Sequence, residues 1–238
     1  MNRLLLFDID GTLVDTGGAG REALRRALRA VFGETGPIDS FDFHGKTDPA
    51  IVHGLMREVG RGEREVERAL DRLWDAYLEA LSEELTHRRS EGRVSPYPGV
   101  PDLLESVAAD PRFAVALVTG NVAPGAWHKL DAAELTHHFG FGAFGSDSSL
   151  REDLPPLALR RAARQLGREY APADAVVIGD TPEDVRCARA SGVHAVTVAT
   201  GRHGPEELAE HGPDHVFVDF SDTDTVLEVL ADPTSSPA

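Results

Sequence analysis

The segment LLLFDIDGTLVD, residues 4–15, runs from an apolar stretch into Asp8, Asp10 and Asp15. Carboxylates this close repel one another unless a cation or a bound proton offsets the repulsion. Asp8 and Asp10 are two apart, so in extended chain their side chains lean to the same side, and Gly11 lets the backbone turn directly after them. Two more apolar runs end in polar groups: VALVTGN in Thr119 and Asn121, and AVVIGD in Asp180. Acids grouped in this way suit a hard divalent cation bound through oxygen, magnesium first. Zinc has little support, because the ten histidines show no paired spacing and Cys187 is the only cysteine. Cys187 lies in a helical pattern and reads as a buried structural thiol.

Other acids have structural readings beside the chemical one. Asp15 reads first as a residue that turns or caps the chain. In TPED, Thr181 suits an N-cap, Pro182 the first helical position and Asp184 the third, the layout of a capping box. Asp184 also lies one turn beyond Asp180, so it either caps the helix or helps to hold the cation, and both readings stand.

The elements that must position these groups follow from the pattern. Strand-like runs lie at 3–8, 113–118, 175–178, 194–198 and 215–218, with a weaker one at 141–144. Helical patterns fall between most of them, at 101–109, 155–166, 182–191 and 223–230. Alternation of this kind predicts an α/β fold, a doubly wound, Rossmann-like parallel sheet with helices on both faces. The polar ends of the strands then meet on the carboxyl edge, where open α/β sheets bind ligands. Residues 17–96 break the rhythm with helical stretches at 20–32, 48–59 and 63–86. They read as a smaller helical domain, leaving 1–16 and 97–238 as the sheet domain. Within FHGKTDPAIV, Asp48 is placed to N-cap a helix and Pro49 to begin it. Lys46 then falls in the preceding loop, either solvated or reaching over the sheet edge toward a substrate.

Composition narrows the function classes. At 238 residues and 41% hydrophobic content the chain is long enough for a proper core. A net charge of −16 without a basic block argues against a nucleic-acid partner. No apolar run approaches the roughly 20 residues that span a bilayer, and a cytoplasmic protein without membrane contact is expected. GFGAFG matches a dinucleotide-binding pattern by letters, but it surrounds a weak strand instead of joining a strand to a helix. The final PTSSPA reads as a frayed tail.

DIDGTLVD, LVTGN and VVIGDTPEDV, in that order and strand context, resemble three motifs of the haloacid dehalogenase-like hydrolases, and the helical insertion resembles their helical cap. Within that superfamily the sequence is most similar to phosphoglycolate phosphatase-type enzymes. The resemblance implies that Asp8 attacks phosphorus to form an aspartyl-phosphate, while Asp10 protonates the leaving oxygen and then activates water. It implies magnesium at Asp8, the Asp10 carbonyl and Asp180, with Asp184 nearby. Thr119 and the amides of Gly120 and Asn121 would bind phosphoryl oxygens, although Thr119 also suits an N-cap of the next helix. The implied substrate is a small phosphorylated metabolite.

One family feature is missing. The resemblance implies a lysine ahead of the last motif, often followed by Pro-x-Pro, yet no lysine follows Lys129. Arg151, between a strand end and a helix start, is the replacement that chemistry permits, since arginine binds oxyanions bidentately; a surface arginine is the alternative. Lys129, inside the helix after LVTGN, reads as exposed or structural. Two other functions compete with a phosphatase: a phosphosugar mutase of the same superfamily, and a non-catalytic binding protein on the same fold. Oligomeric state is not legible in this sequence.

Overall fold

The computed structural model describes residues 2–234, so part of the PTSSPA tail lies outside the described residues. β1 (Arg3–Phe7) is buried along its whole length. Such a continuous apolar run is what a central strand of a parallel sheet requires, because helices cover both of its faces. A two-residue strand, β2 (Val14–Asp15), follows, and then three helices: α1 (Ala19–Phe32), α2 (Asp48–Glu58) and α3 (Glu63–Ser90). β3 (Ser95–Pro96) returns antiparallel to β2, pairing Val14 with Pro96 and Asp15 with Ser95. This pair ties together the two connections to the helical segment. It is too short to leave a periodic signal in the sequence.

The remaining chain alternates: α4 (Val100–Ala109), β4 (Phe113–Thr119), α5 (Ala123–Ala132), β5 (Gly142–Phe144), α6 (Leu154–Leu166), β6 (Ala175–Gly179), α7 (Pro182–Ala190), β7 (His194–Val198), α8 (Pro205–Ala209), β8 (His215–Phe217) and α9 (Thr223–Ala231). The strands form one sheet in the order β5-β4-β1-β6-β7-β8, with every neighbouring pair parallel. The α/β doubly wound expectation is met. Phe7 is level with Leu117 and with Ile178, which carries Asp8, Thr119 and Asp180 to the same edge.

Successive side chains of β1 serve opposite faces, as strand geometry demands. Leu5 and Phe7 join a cluster with residues of α4, α5 and α9. Leu4 and Leu6 join another with residues of α6 and α7. Each fully buried leucine or phenylalanine contributes roughly 1.5–3 kcal/mol to stability. The helical segment has a cluster of its own, in which Leu24 and Leu28 of α1 and Leu55 of α2 pack with Leu73, Tyr77 and Leu81 of α3. No helix among the described residues is long and apolar enough to cross a membrane.

At the start of α2 the structure corrects the sequence reading. Thr47, not Asp48, is the N-cap, its hydroxyl accepting from the amide of Ala50 at 3.3 Å. Thr47 has the extended backbone an N-cap needs. Asp48 becomes the first helical residue, which leaves its carboxylate free to reach another part of the chain.

Candidate active site

Asp8 follows directly from β1 and is 5% exposed. Burial pushes its carboxyl up to about 6; the Arg151 guanidinium opposes this, while Asp184 and Asp10 add to it. Arg151 sits in the short turn before α6 and is buried. Its Nη2 lies 3.1 Å from an Asp8 oxygen and donates to Asp184 Oδ1 at 2.5 Å. The surface-arginine reading therefore fails. Burial opposes the charge on Arg151, but Asp184 and Asp8 outweigh it and hold its pKa above the ordinary value.

Asp180, at the end of β6, is also buried. Its pKa is raised first by desolvation and then by repulsion from Asp184 and Asp8. It accepts from the Thr12 hydroxyl at 3.3 Å. Gly11, with φ +81, makes the turn before Thr12, and a Cβ there would stand 2.2 Å from Asp180 Oδ2, so only glycine fits. Asp184 caps the helix, one of its two sequence readings, and makes a contact that neither reading named. Its Oδ2 accepts from the Thr181 amide at 3.0 Å and hydroxyl at 2.6 Å, closing the capping box, while Oδ1 anchors Arg151. Carboxylate oxygens of Asp8, Asp180 and Asp184 all lie within 4.8 Å of one another.

Asp10 stands on the other side of the cleft. Its Oδ2 accepts from Asn121 Nδ2 at 2.8 Å, and Lys129 Nζ donates to its two oxygens at 2.8 and 2.6 Å. The exposed reading of Lys129 is thus overturned; its structural alternative also misses the contact with Asp10. The signal is present in the spacing: Val122, Ala126 and Lys129 are four and then three apart, which places Lys129 on the buried stripe of α5. Thr119 caps no helix. Val122 occupies the N-cap of α5, and the Thr119 hydroxyl accepts from Asn121 Nδ2 at 2.8 Å and from the Asn121 amide at 3.4 Å.

The loop before α2 lies on this edge. Asp48 donates its amide to the Gly120 carbonyl at 2.7 Å and accepts at its carboxylate from the Val122 amide at 2.8 Å. Burial lifts the Asp48 carboxyl to about 6, against the pull of Lys129. A Cβ on Gly120 would stand 2.2 Å from the Lys46 carbonyl, so the approach of the two loops depends on that glycine. The Lys46 side chain is half-exposed, with Nζ 3.9 Å from Asp42 and 5.9 Å from the Phe41 ring centre. Arg151 Nη1 reaches the Gly45 carbonyl at 3.5 Å. Asp15 is exposed and accepts from the Gly17 amide at 2.7 Å, a turn as expected. Cys187 is buried, its thiol pushed up to about 12 by desolvation.

A cavity of about 340 Å³ joins these groups, lined by Asp8, Asp10, Thr119, Lys129 and Arg151 from the sheet edge and by Arg21, Lys46 and Tyr77 from the helical segment. Away from it, Glu105, His137 and His138 bring ligand atoms within 4.8 Å of one another, a grouping that sequence spacing does not reveal. An oxygen-rich recess with an acid at its floor, a second acid beside it and a cation for each can take an anion and exchange a proton with it.

Comparison with known proteins bears on that chemistry. The chain is 29% identical over 250 residues to phosphoglycolate phosphatase 1 of Pseudomonas aeruginosa, an alignment covering 99% of this chain and 85% of that one. It is 26% identical over 224 residues to a phosphoglycolate phosphatase of Mesorhizobium japonicum, covering 91% of each. In three dimensions it resembles a hydrolase from Pseudomonas syringae with a TM-score of 0.71 at 22% identity, over 96% of this chain and 98% of that one. The family model for haloacid dehalogenase-like hydrolases matches residues 3–192, from β1 past α7 and across the whole acidic edge, and the chain belongs to that family of hydrolases.

Proposed function

We propose that this hydrolase is a magnesium-dependent phosphatase that cleaves a small phosphorylated metabolite, of the size and charge of phosphoglycolate, through a covalent intermediate on Asp8. The observation that carries the reading is the buried Asp8 held 3.1 Å from Arg151, with a second acid two residues on and both opening into one cavity. The names of the relatives at 29% and 26% identity point the same way.

In the first step an Asp8 oxygen attacks phosphorus, the bond from phosphorus to the leaving oxygen breaks, and Asp10 gives that oxygen its proton. In the second, water loses a proton to Asp10 and attacks the same phosphorus, releasing phosphate and restoring the Asp8 carboxylate. Thr119, whose hydroxyl hydrogen is not used by its two bonds from Asn121, would donate to a phosphoryl oxygen, as would the amides near Gly120 and Asn121. Arg151 would offset charge on the nucleophile and phosphoryl group together.

The acids fit a divalent ion. Carboxylate oxygens of Asp8, Asp180 and Asp184 lie within 4.8 Å of one another, while the Arg151 guanidinium pairs with Asp8 and Asp184; desolvation first, and repulsion among the acids after it, raises the pKa values of Asp8 and Asp180. Asp8, Asp180 and the Asp10 carbonyl would hold magnesium, with Asp184 supporting it through its charge and through Arg151. When bound, the ion would neutralise the charge between nucleophile and phosphoryl group.

Residues 17–96 serve in this reading as a cap over the sheet domain of 1–16 and 97–238. The separate apolar cluster of α1 to α3 and the paired strands β2 and β3 support that division. Lys46, on the cap loop at the cavity, would contact the part of the substrate beyond the phosphate. The test is phosphate release from a panel of small phosphate esters with and without magnesium, followed by acid quench and detection of phosphate bound covalently to Asp8. No release from any ester overturns the reading.

A further inference from the structure

Lys129 is 4% exposed. Burying an ammonium is expensive unless it is paired and its donors are used. Its three N–H groups have three acceptors: Asp10 Oδ1 at 2.8 Å, Asp10 Oδ2 at 2.6 Å and Asn121 Oδ1 at 2.6 Å. All three belong to the cleft. With no donor left over, Lys129 cannot also hold a phosphoryl oxygen without giving up one of these bonds, which separates its task from that of Arg151.

The contact with Asn121 has a further effect. Because Asn121 Oδ1 faces Lys129, its Nδ2 faces the other way and donates to both Asp10 Oδ2 and Thr119 Oγ1, each at 2.8 Å. One chain of bonds therefore runs from Lys129 through Asp10 and Asn121 to Thr119. The Asp10 side chain keeps 44% of its surface exposed, so packing does not fix its rotamer; the lysine and the amide do.

We propose that Lys129 is a positioning residue for Asp10: with Asn121 it clamps the carboxyl group in the orientation from which Asp10 passes its own proton to the leaving oxygen of the ester and, as the carboxylate, then takes one from water. The inference rests on the roles proposed above for Asp8 and Asp10. Its competitor is a structural role in which Lys129 merely offsets the partly buried Asp48 at the start of α2. The two differ in what they do to leaving groups. An alkoxide leaves only with a proton from Asp10, whereas an activated aryloxide needs none, so misplacing Asp10 slows the first class selectively.

The experiment measures first-turnover release of the leaving group, at saturating magnesium, over phosphate monoesters ranging from dinitrophenyl to alkyl, in wild type, Lys129→Met, Lys129→Gln and Asp10→Asn. Thermal unfolding establishes which variants are folded, and the glutamine variant stands in if the methionine one is not. The expected result is a loss of about 100-fold on alkyl esters and under about 3-fold on the dinitrophenyl ester for the lysine variants, with the same trend in Asp10→Asn. An even loss across the series in the lysine variants, or none, beside a leaving-group-dependent loss in Asp10→Asn, overturns this inference alone. A wild type that cleaves no ester, or an Asp10→Asn protein without the trend, overturns the underlying reading and this inference with it.

Discussion

On one side of the cleft Asp8 is 5% exposed and shares Arg151 with Asp184; on the other, Asp10 keeps 44% of its side chain exposed and meets Lys129 with both oxygens. The two sides use the same residue types for different ends. Around Asp8, two buried acids share the Arg151 guanidinium, Asp180 stands close by, and desolvation lifts the Asp8 carboxyl to about 6. Around Asp10 the Lys129 ammonium bonds both oxygens of the acid, with Asp48 nearby, and solvent reaches the carboxylate. A nucleophile gains from a dry, electropositive surrounding. A proton carrier must reach both leaving group and water. On the roles proposed for the two acids, burial and the number of shared partners, more than residue identity, would divide the labour.

The largest effect expected is from the Asp8 side. Asp8→Asn should lower turnover by about 10⁴-fold or more while the protein stays folded, because it removes the attacking oxygen's charge. Phosphate-release assays on the folded variant check this, and a near-normal rate would break the comparison at its root. Arg151→Ala should cost roughly 10²–10³-fold, and the loss should be even across leaving groups, in contrast to the trend expected at Lys129. If Arg151→Ala showed the selective loss instead, the two cations would have been assigned to the wrong acids.

A smaller effect concerns Asp48, which lies beside Lys129 on the Asp10 side and also faces Asp10 and Tyr77. Its folded-state pKa of about 6 lies above the ordinary 3.8, so between those values the folded chain binds the extra proton. The contribution of Asp48 to stability therefore falls as pH rises from about 4 to about 6 and stays low above that, by about 2–3 kcal/mol in the metal-free protein. Asp48→Asn, which keeps an acceptor for the Val122 amide, should remove that slope in denaturant unfolding followed over this range. An unchanged slope would show that Lys129 already compensates Asp48 fully. The least effect is expected at Lys46, whose side chain is the most exposed of the four: Lys46→Ala should raise KM about 3- to 10-fold on the preferred metabolite and leave a small generic ester nearly unaffected. Equal changes on both esters would exclude a role in specificity.

Part of this arrangement is legible in the sequence. The apolar runs ending in Asp8, Thr119 and Asp180 locate the sheet and its active edge, because continuous burial in a parallel sheet leaves a continuous run of letters. Thr181, Pro182 and Asp184 announce a helix start through local chemistry. The Thr47 cap escapes a sequence reading by one residue, since threonine and aspartate compete for that position on nearly equal terms. Lys129 escapes it for a different reason. Its place on the buried face of α5 is visible in the spacing, but its partner is 119 residues away in sequence.

What the sequence determined by itself is the set of main strand ends and the capping-box start of α7, and with them the position of Asp8, Asp10, Thr119 and Asp180 on one edge, since those features follow from periodicity and local hydrogen bonding. Tertiary structure alone decided which cation serves which acid, that Asp184 anchors Arg151 while capping α7, and that the Lys46 loop lies against Gly120. Those pairings depend on distances between segments that folding brings together, and charge attraction between buried groups acts through space without regard to the chain between them.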